Sequence, residues 1–272
     1  MDKIIIEPIT SMKNAFSVAG QNVVITGGNR GLGRGIAQAF AECGANVAIL
    51  CRNEASGNEA AEQLRLLGSR AIAVKCDVGD FDSVLRAKEV VANEFDHIDT
   101  LVNNAGIDGK HGVFDDARLE EFKRVMNVNL DGVAAMIQVF GQWMMDEGRG
   151  GEIINISSIG GQAIGDPRSH PMPSYNASKA ALDHLTRHLA IVMGDYGIRV
   201  NSIAPGPTHS DLDAGLPPSI TEFIDVTMPM HRFGEPLEIG ALAVFLSSPA
   251  AAQITGVVAN HDGGTMCVGL TF

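Results

Sequence analysis

The apolar run Val23-Val24-Ile25 leads directly into Thr26-Gly27-Gly28-Asn29-Arg30-Gly31-Leu32-Gly33, and an amphipathic segment, Ile36 to Cys43, follows at once. A buried strand must here turn into a helix within a few residues, which few architectures tolerate. Gly27 and Gly31 permit the turn and let the backbone approach a bound phosphate. Gly33 lets the helix lie close on the strand, and the helix N-terminus offers free N–H groups and the positive end of its dipole to a pyrophosphate. The spacing Thr-Gly-x-x-x-Gly-x-Gly differs from Gly-x-Gly-x-x-Gly, so on this stretch alone a tight turn built from small packing residues serves as well.

The remainder of the chain repeats the same unit. Strands are predicted at Val23–Thr26, Val47–Cys51, Ala71–Lys75, Thr100–Asn103, Glu152–Ile156, Arg199–Ile203 and Val257–Asn260. Most are continuous apolar runs, as expected for strands covered on both faces of a parallel sheet. Helices are predicted near Asn53–Leu67, Phe81–Phe95, Arg118–Met145, Tyr175–Tyr196 and Pro236–Leu246. Repeated β-α-β units imply right-handed crossovers and a doubly wound α/β fold, a seven-stranded parallel sheet flanked by helices. No linker, repeat or low-complexity tract divides the chain, so residues 18–272 form one expected domain behind an extension, residues 1–17. Loops near 161–174 and 209–232 interrupt the alternation, the first rich in proline, and both follow carboxyl ends of strands where such folds build binding sites.

Composition excludes some functions. A net charge of −12 over 272 residues provides no basic excess to displace counterions, which argues against nucleic acid and anionic membranes as partners. Cys43, Cys51, Cys76 and Cys267 lack metal-ligand or redox spacing and read as small buried hydrophobes in a reducing compartment. His184 and His188 lie one helical turn apart without a third ligand, so no metal site is expected. The first residues match neither a signal nor a transit peptide, no apolar run spans a membrane, and a cytoplasmic location follows by default.

Tyr175-Asn176-Ala177-Ser178-Lys179 opens a helical segment. Positions i and i+4 share a helix face, so phenol and ammonium are neighbours, and the ammonium is expected to lower a phenol pKa that starts near 10. Such a pair by itself also fits an ordinary helix start with a solvated lysine.

The accumulated motifs resemble the short-chain dehydrogenase/reductase family over nearly the whole chain after the first twenty residues. Besides the glycine turn, Asn103-Asn104-Ala105-Gly106 matches the segment after the fourth strand, Asp77 the acidic residue at adenine, and Asn129 the catalytic Asn. Ser158 matches the catalytic Ser, Pro205-Gly206 the turn beside nicotinamide, and Asp262-Gly263-Gly264 the C-terminal signature. The resemblance implies a Rossmann fold and a catalytic set of Asn129, Ser158, Tyr175 and Lys179. Tyr175 would be the proton donor or acceptor, Lys179 would tune it and bind the ribose, Ser158 would hold the substrate oxygen, and Asn129 would anchor a water. Ser157 adjoins Ser158; the position after the strand favours Ser158, which leaves Ser157 as packing. The implied cofactor-binding set is Gly27, Asn29, Arg30, Gly31, Leu32, Gly33, Arg52, Asp77, Val78, Asn104, Ala105, Gly106, Tyr175, Lys179, Pro205, Gly206, Thr208 and Ser210.

An NAD site usually carries a carboxylate at the end of the second strand, where this chain has Cys51 followed by Arg52. With Arg30, two guanidiniums and no carboxylate suit a phosphate dianion, so NADP(H) is the expected cofactor. The expected activity is a secondary alcohol–ketone oxidoreductase on a small polar, sugar- or polyol-like substrate, forming a homotetramer through the helices that carry Val133, Met136 and Val139, and Leu182, Leu185 and Leu189. The alternatives are a 3-oxoacyl thioester reductase, a hydroxysteroid dehydrogenase served by the apolar residues Leu216, Ile220, Phe223, Ile224 and Met228, and a non-catalytic NADP(H)-binding sensor.

Overall fold

The structure is a computed structural model that describes residues 3–164, 172–209 and 222–268. Seven strands alternate with helices: β1 (Asn22–Thr26), α1 (Gly31–Glu42), β2 (Asn46–Cys51), α2 (Glu54–Leu66), β3 (Ala71–Lys75), α3 (Phe81–Glu94), β4 (Thr100–Asn103), α4 (residues 120–147), β5 (Gly151–Ile156), α5 (Pro173–Gly194), β6 (Ile198–Pro205), α6 (Pro236–Ser247) and β7 (Val258–His261). The sheet runs β3-β2-β1-β4-β5-β6-β7 with every pair parallel. The chain winds outward from β1 to β3, then restarts on the other side at β4. That reversal opens a crevice beyond the carboxyl ends of β1 and β4.

Alternate side chains along each strand enter two cores. On one face Val23, Ile25 and Ile49 pack with Ile36 and Phe40 of α1 and Ile239 of α6. On the other Val24, Leu50 and Ile153 meet Val91 of α3, Phe140 of α4 and Leu182 of α5. Continuous apolar strands are what two covered faces require, and β1 is buried at every position.

The strand ends differ from expectation in one instructive place. β6 continues to Pro205 and is buried throughout, although Arg199, Asn201 and Ser202 are polar. These groups are satisfied internally. Arg199 pairs with buried Glu152 at 2.6 Å, and Asn201 donates to the same carboxylate at 3.0 Å. Burial pushes the Glu152 carboxyl up against the pull of Arg199. A second ladder crosses the sheet: Asn103 donates to Asn155 at 2.9 Å, Asn155 to Thr186 of α5 at 2.9 Å, and Thr186 meets Ser202 at 2.8 Å. It fixes α5 in register over β4, β5 and β6.

α4 is a continuous right-handed helix in which α segments Glu120–Met126, Gly132–Met136 and Gln142–Glu147 alternate with π turns at Asn127–Asp131 and Ile137–Gly141. Such insertions re-aim side chains and recur at functional sites; the first carries Asn129.

Val133, Met136 and Leu182 are buried in the chain's own core, while Val139, Leu185 and Leu189 are half-buried and the large exposed apolar residues of α5 are Ile191 and Val192. One expectation is corrected. Of the cysteines, Cys51 and Cys76 are buried but Cys43 and Cys267 are exposed. Before the sheet begins, Ile4 N–H donates to the Asp195 carbonyl at 3.0 Å, and Phe16 stacks on Phe245. No described helix is long and apolar enough to cross a membrane, and no cluster of metal-ligating side chains occurs among the described residues.

Candidate active site

The crevice holds an open cleft of about 620 Å³. At one end lies the glycine turn. Gly27 (φ +66°) and Gly31 (φ +53°) adopt backbone that other residues rarely take, and α1 starts at Gly31 after an extended Arg30 that makes no side-chain cap. The first-turn N–H groups of α1 thus face the cleft. A Cβ on Gly33 would run into the Gly27 carbonyl and the Asn104 side chain, so only glycine lets the turn close this tightly. Thr26 ties the turn to β4: its Oγ1 accepts from the Asn104 and Ala105 N–H groups at 2.9 and 3.0 Å. Asn104 Nδ2 returns a bond to the Thr26 carbonyl at 2.9 Å.

Arg30 and Arg52 are exposed at this end, and neither forms an ion pair among the described residues. β2 ends at Cys51, as expected, so Arg52 stands at the strand's mouth. Asn53 caps α2, accepting from Ser56 N–H at 3.1 Å, and Asn29 Nδ2 donates to Ser56 Oγ at 2.9 Å. Next along the wall are Asp77, whose Oδ1 accepts from Gly79 N–H at 3.1 Å, and Val78.

The other end gathers the reactive side chains. α5 places Tyr175 and Lys179 one turn apart, with the ammonium nitrogen 5.5 Å from the phenol ring centre. Lys179 Nζ donates to the Ile156 carbonyl of β5 at 2.7 Å. Ser158 lies where β5 ends, its Oγ accepting from Gly160 N–H at 3.1 Å, and it lines the cleft at the same end as the Tyr175 phenol. Ser157 is buried and gives its hydroxyl to the Lys179 carbonyl at 3.4 Å, so the two serines have different surroundings. Asn129 is fully buried. Its Oδ1 accepts from Ile107 N–H and its Nδ2 donates to the Ile107 carbonyl, both at 2.9 Å, and Nδ2 also reaches Ser178 Oγ at 3.1 Å.

Charge at this end departs from expectation. Burial, helped by the Asp108 carboxylate, pushes the Tyr175 phenol up to about 12 against the Ser158 hydrogen bond. Burial pulls the Lys179 ammonium down to about 8 against Asp183 and Asp108. Desolvation, and not the neighbouring ammonium, therefore sets the direction of the phenol's shift.

The floor is closed by Pro205 and Gly206; Gly206 lies so close to Asp262 that a Cβ would collide with it, and its N–H donates to the His261 carbonyl at 3.0 Å. Asp262 accepts from Gly264 and Met266 N–H groups at 3.0 and 2.8 Å, so Asp262-Gly263-Gly264 supports this turn. Thr208 lines the cleft, while Ser210 lies outside the described residues. The cleft thus brings together every expected site residue that is described, with Asn129 just behind its wall. Ser56, Ile107 and Asp108 also line it and were missed, although Ser56 follows the Asn53 cap by three residues and Ile107-Asp108 directly follows Gly106 in a loop at a strand's carboxyl end.

These residues suit a dinucleotide cofactor: free helix-terminal N–H groups, two exposed guanidiniums with no ion pair among the described residues, and a glycine turn that a Cβ would fill.

The family described as enoyl-(acyl carrier protein) reductase, within the short-chain dehydrogenases/reductases, matches residues 27–266. Galactitol 2-dehydrogenase of Rhizobium johnstonii is 36% identical over 94% of this chain and 99% of its own length. L-Rhamnose 1-dehydrogenase (NAD(P)(+)) of a Sphingomonas strain is 34% identical over 90% and 96%. The crystal structure of 7α-hydroxysteroid dehydrogenase complexed with NADH and 7-oxo glycochenodeoxycholic acid superposes with a TM-score of 0.87 at 31% identity, covering 94% of this chain and 98% of that one.

Proposed function

The chain belongs to the short-chain dehydrogenase/reductase family of oxidoreductases, and on that premise we propose that it interconverts a secondary alcohol and a ketone of a small polar, sugar- or polyol-like substrate with NADP(H). One observation carries this reading. Ser158, Tyr175 and Lys179 converge at one end of a cleft whose other end presents a glycine turn and two exposed guanidiniums.

When bound, the nicotinamide supplies or accepts the hydride. The chain's own residues position the substrate and move the proton. A phenol whose pKa lies well above neutrality is fully protonated, so Tyr175 is ready to give its proton to the alkoxide that develops in ketone reduction. Ser158, which lines the cleft at the same end as that phenol, holds the same substrate oxygen. Lys179 places a positive charge behind the phenol, which favours the phenolate left after transfer. Asn129 holds the Gly106–Asp108 loop against the reactive corner through Ile107.

The small polar substrate is favoured over a steroid by the segment that leads into α6. Ile224 and Met228 are buried, at 2% and 1% exposure, and so pack on the chain itself instead of offering apolar surface to a ligand. Leu216 and Ile220 lie outside the described residues. The name of the galactitol relative points the same way. The acidic balance disfavours docking of an acidic acyl carrier, and retention of all four reactive residues disfavours a non-catalytic sensor. A cytoplasmic homotetramer completes the reading, and light scattering at micromolar concentration tests its assembly. The decisive experiment follows nicotinamide absorbance with NADPH and NADP across ketoses, polyols, hydroxysteroids and β-ketoesters. Turnover confined to steroids or β-ketoesters overturns the substrate class, and no turnover with any overturns the activity.

A further inference from the structure

We propose that Asp108 sets the charge selectivity of the substrate end of the cleft, so that neutral hydroxyl-bearing substrates are accepted and carboxylate-bearing ones, such as sugar acids, are rejected. The inference rests on the reading that the Ser158–Tyr175 corner acts on a small polar compound.

Three observations place the carboxylate there. Asp108 lines the same cleft as Ser158, Tyr175 and Lys179. Its charge is felt by both members of the reactive pair, raising the phenol and the ammonium alike. Its backbone is held on both sides: the preceding Ile107 is gripped through N–H and carbonyl by buried Asn129, and the following Gly109 lies so close to buried Ser174 of α5 that a Cβ would collide with its hydroxyl. An exposed carboxylate on a clamped backbone cannot move far from the reacting oxygen.

The ammonium of the reactive pair is not presented to an arriving anion. Lys179 Nζ is buried and committed to the Ile156 carbonyl. His111 faces Glu121 at 3.4 Å, and Arg232 is held by Glu238 at 2.6 Å. Arg30 and Arg52 border the opposite end, at the glycine turn and the mouth of β2. Like charges a few ångströms apart at the protein surface interact by kilocalories, whereas a carboxylate accepts hydrogen bonds from substrate hydroxyls readily.

The test compares a neutral hexitol, galactitol, with a hexonate, gluconate, using the full-length protein with NADP, in wild type, Asp108→Asn and Asp108→Lys. The ratio of kcat/KM for gluconate over galactitol should rise about tenfold or more in Asp108→Asn and further in Asp108→Lys, and the gain should shrink at high salt. An unchanged ratio in folded variants overturns the inference while the proposed reaction stands. If neither compound is turned over, the inference is judged by calorimetry of gluconate on the NADP-loaded protein: tighter binding by the same factor in Asp108→Asn sustains it, and equal binding overturns it, while the reaction itself is judged by the wider substrate panel.

Discussion

The side chain of Asn129 grips Ile107 by both backbone groups, accepting from its N–H and donating to its carbonyl at 2.9 Å each. The grip is possible because a π turn in α4 aims Asn129 at the loop after β4. Asn129→Ala leaves these part-buried partners without their side-chain bonds, each at a cost of up to about 1–3 kcal/mol. Turnover should fall by more than about tenfold and Tm by several degrees, with cofactor affinity, measured by nicotinamide fluorescence, reduced less. Wild-type kcat in this variant would show that the loop needs no clamp.

Tyr175→Phe removes only the hydroxyl. Ketone reduction should drop at least about a thousandfold, because the proton donor is lost and water replaces it poorly. NADPH binding should change little, since Lys179 and the glycine turn are untouched. Substantial residual reduction would place the proton donor elsewhere.

Lys179 is a buried ammonium at about 8, well below its usual 10.5. A lysine that binds its proton less tightly when folded destabilises the fold wherever the unfolded chain is still protonated. The cost is full below about pH 8 and disappears as pH rises from about 8 towards 10.5. Lys179→Met should therefore abolish turnover yet unfold at higher denaturant than wild type at pH 7, with the gap narrowing by pH 10. A variant less stable than wild type at every pH would mean that the bond to the Ile156 carbonyl outweighs burial.

Much of this was legible beforehand because the strongest signals are local. Continuous apolar runs give buried parallel strands, and the glycines at 27, 31 and 33 can serve few backbones other than the one found. What escaped depends on tertiary contacts. Nothing in the spacing of Asn127 to Asp131 announces a π turn. Polar Asn201 and Ser202 sit in a fully buried strand only because Glu152 and Thr186 reach them from elements far along the chain. The direction of the Tyr175 shift was misjudged for the same reason: helical spacing revealed the neighbouring ammonium but not the burial that dominates it. Val133, Met136 and Leu182 show the limit of helix periodicity, which identifies an apolar face but not which body covers it.

Cofactor choice depends on the mouth of β2. Cys51 is buried, its thiol pushed up by burial and turned to the Asn53 carbonyl at 3.2 Å, so it offers no acceptor to a ribose. Arg52 beside it and Arg30 across the turn are exposed cations with no ion pair among the described residues, and the Asn29–Ser56 bond adds neutral polar groups. A charge-assisted hydrogen bond contributes about 1.5–3 kcal/mol, so the two arginines together should favour NADPH over NADH by roughly a hundredfold or more. Cys51→Asp installs a carboxylate that repels a 2′-phosphate and can accept from a 2′-hydroxyl. Combined with Arg52→Ala, it should reverse the ratio of kcat/KM for the two cofactors, while Arg30→Ala alone should weaken NADPH without improving NADH. Introducing a carboxylate beside Gly57, where even an added Cβ would collide with the Cys51 sulfur, will cost stability, so Tm is measured alongside the kinetics. A wild type that favours NADH, or a folded double variant with unchanged selectivity, would mean that the cationic mouth of β2 does not read the phosphate.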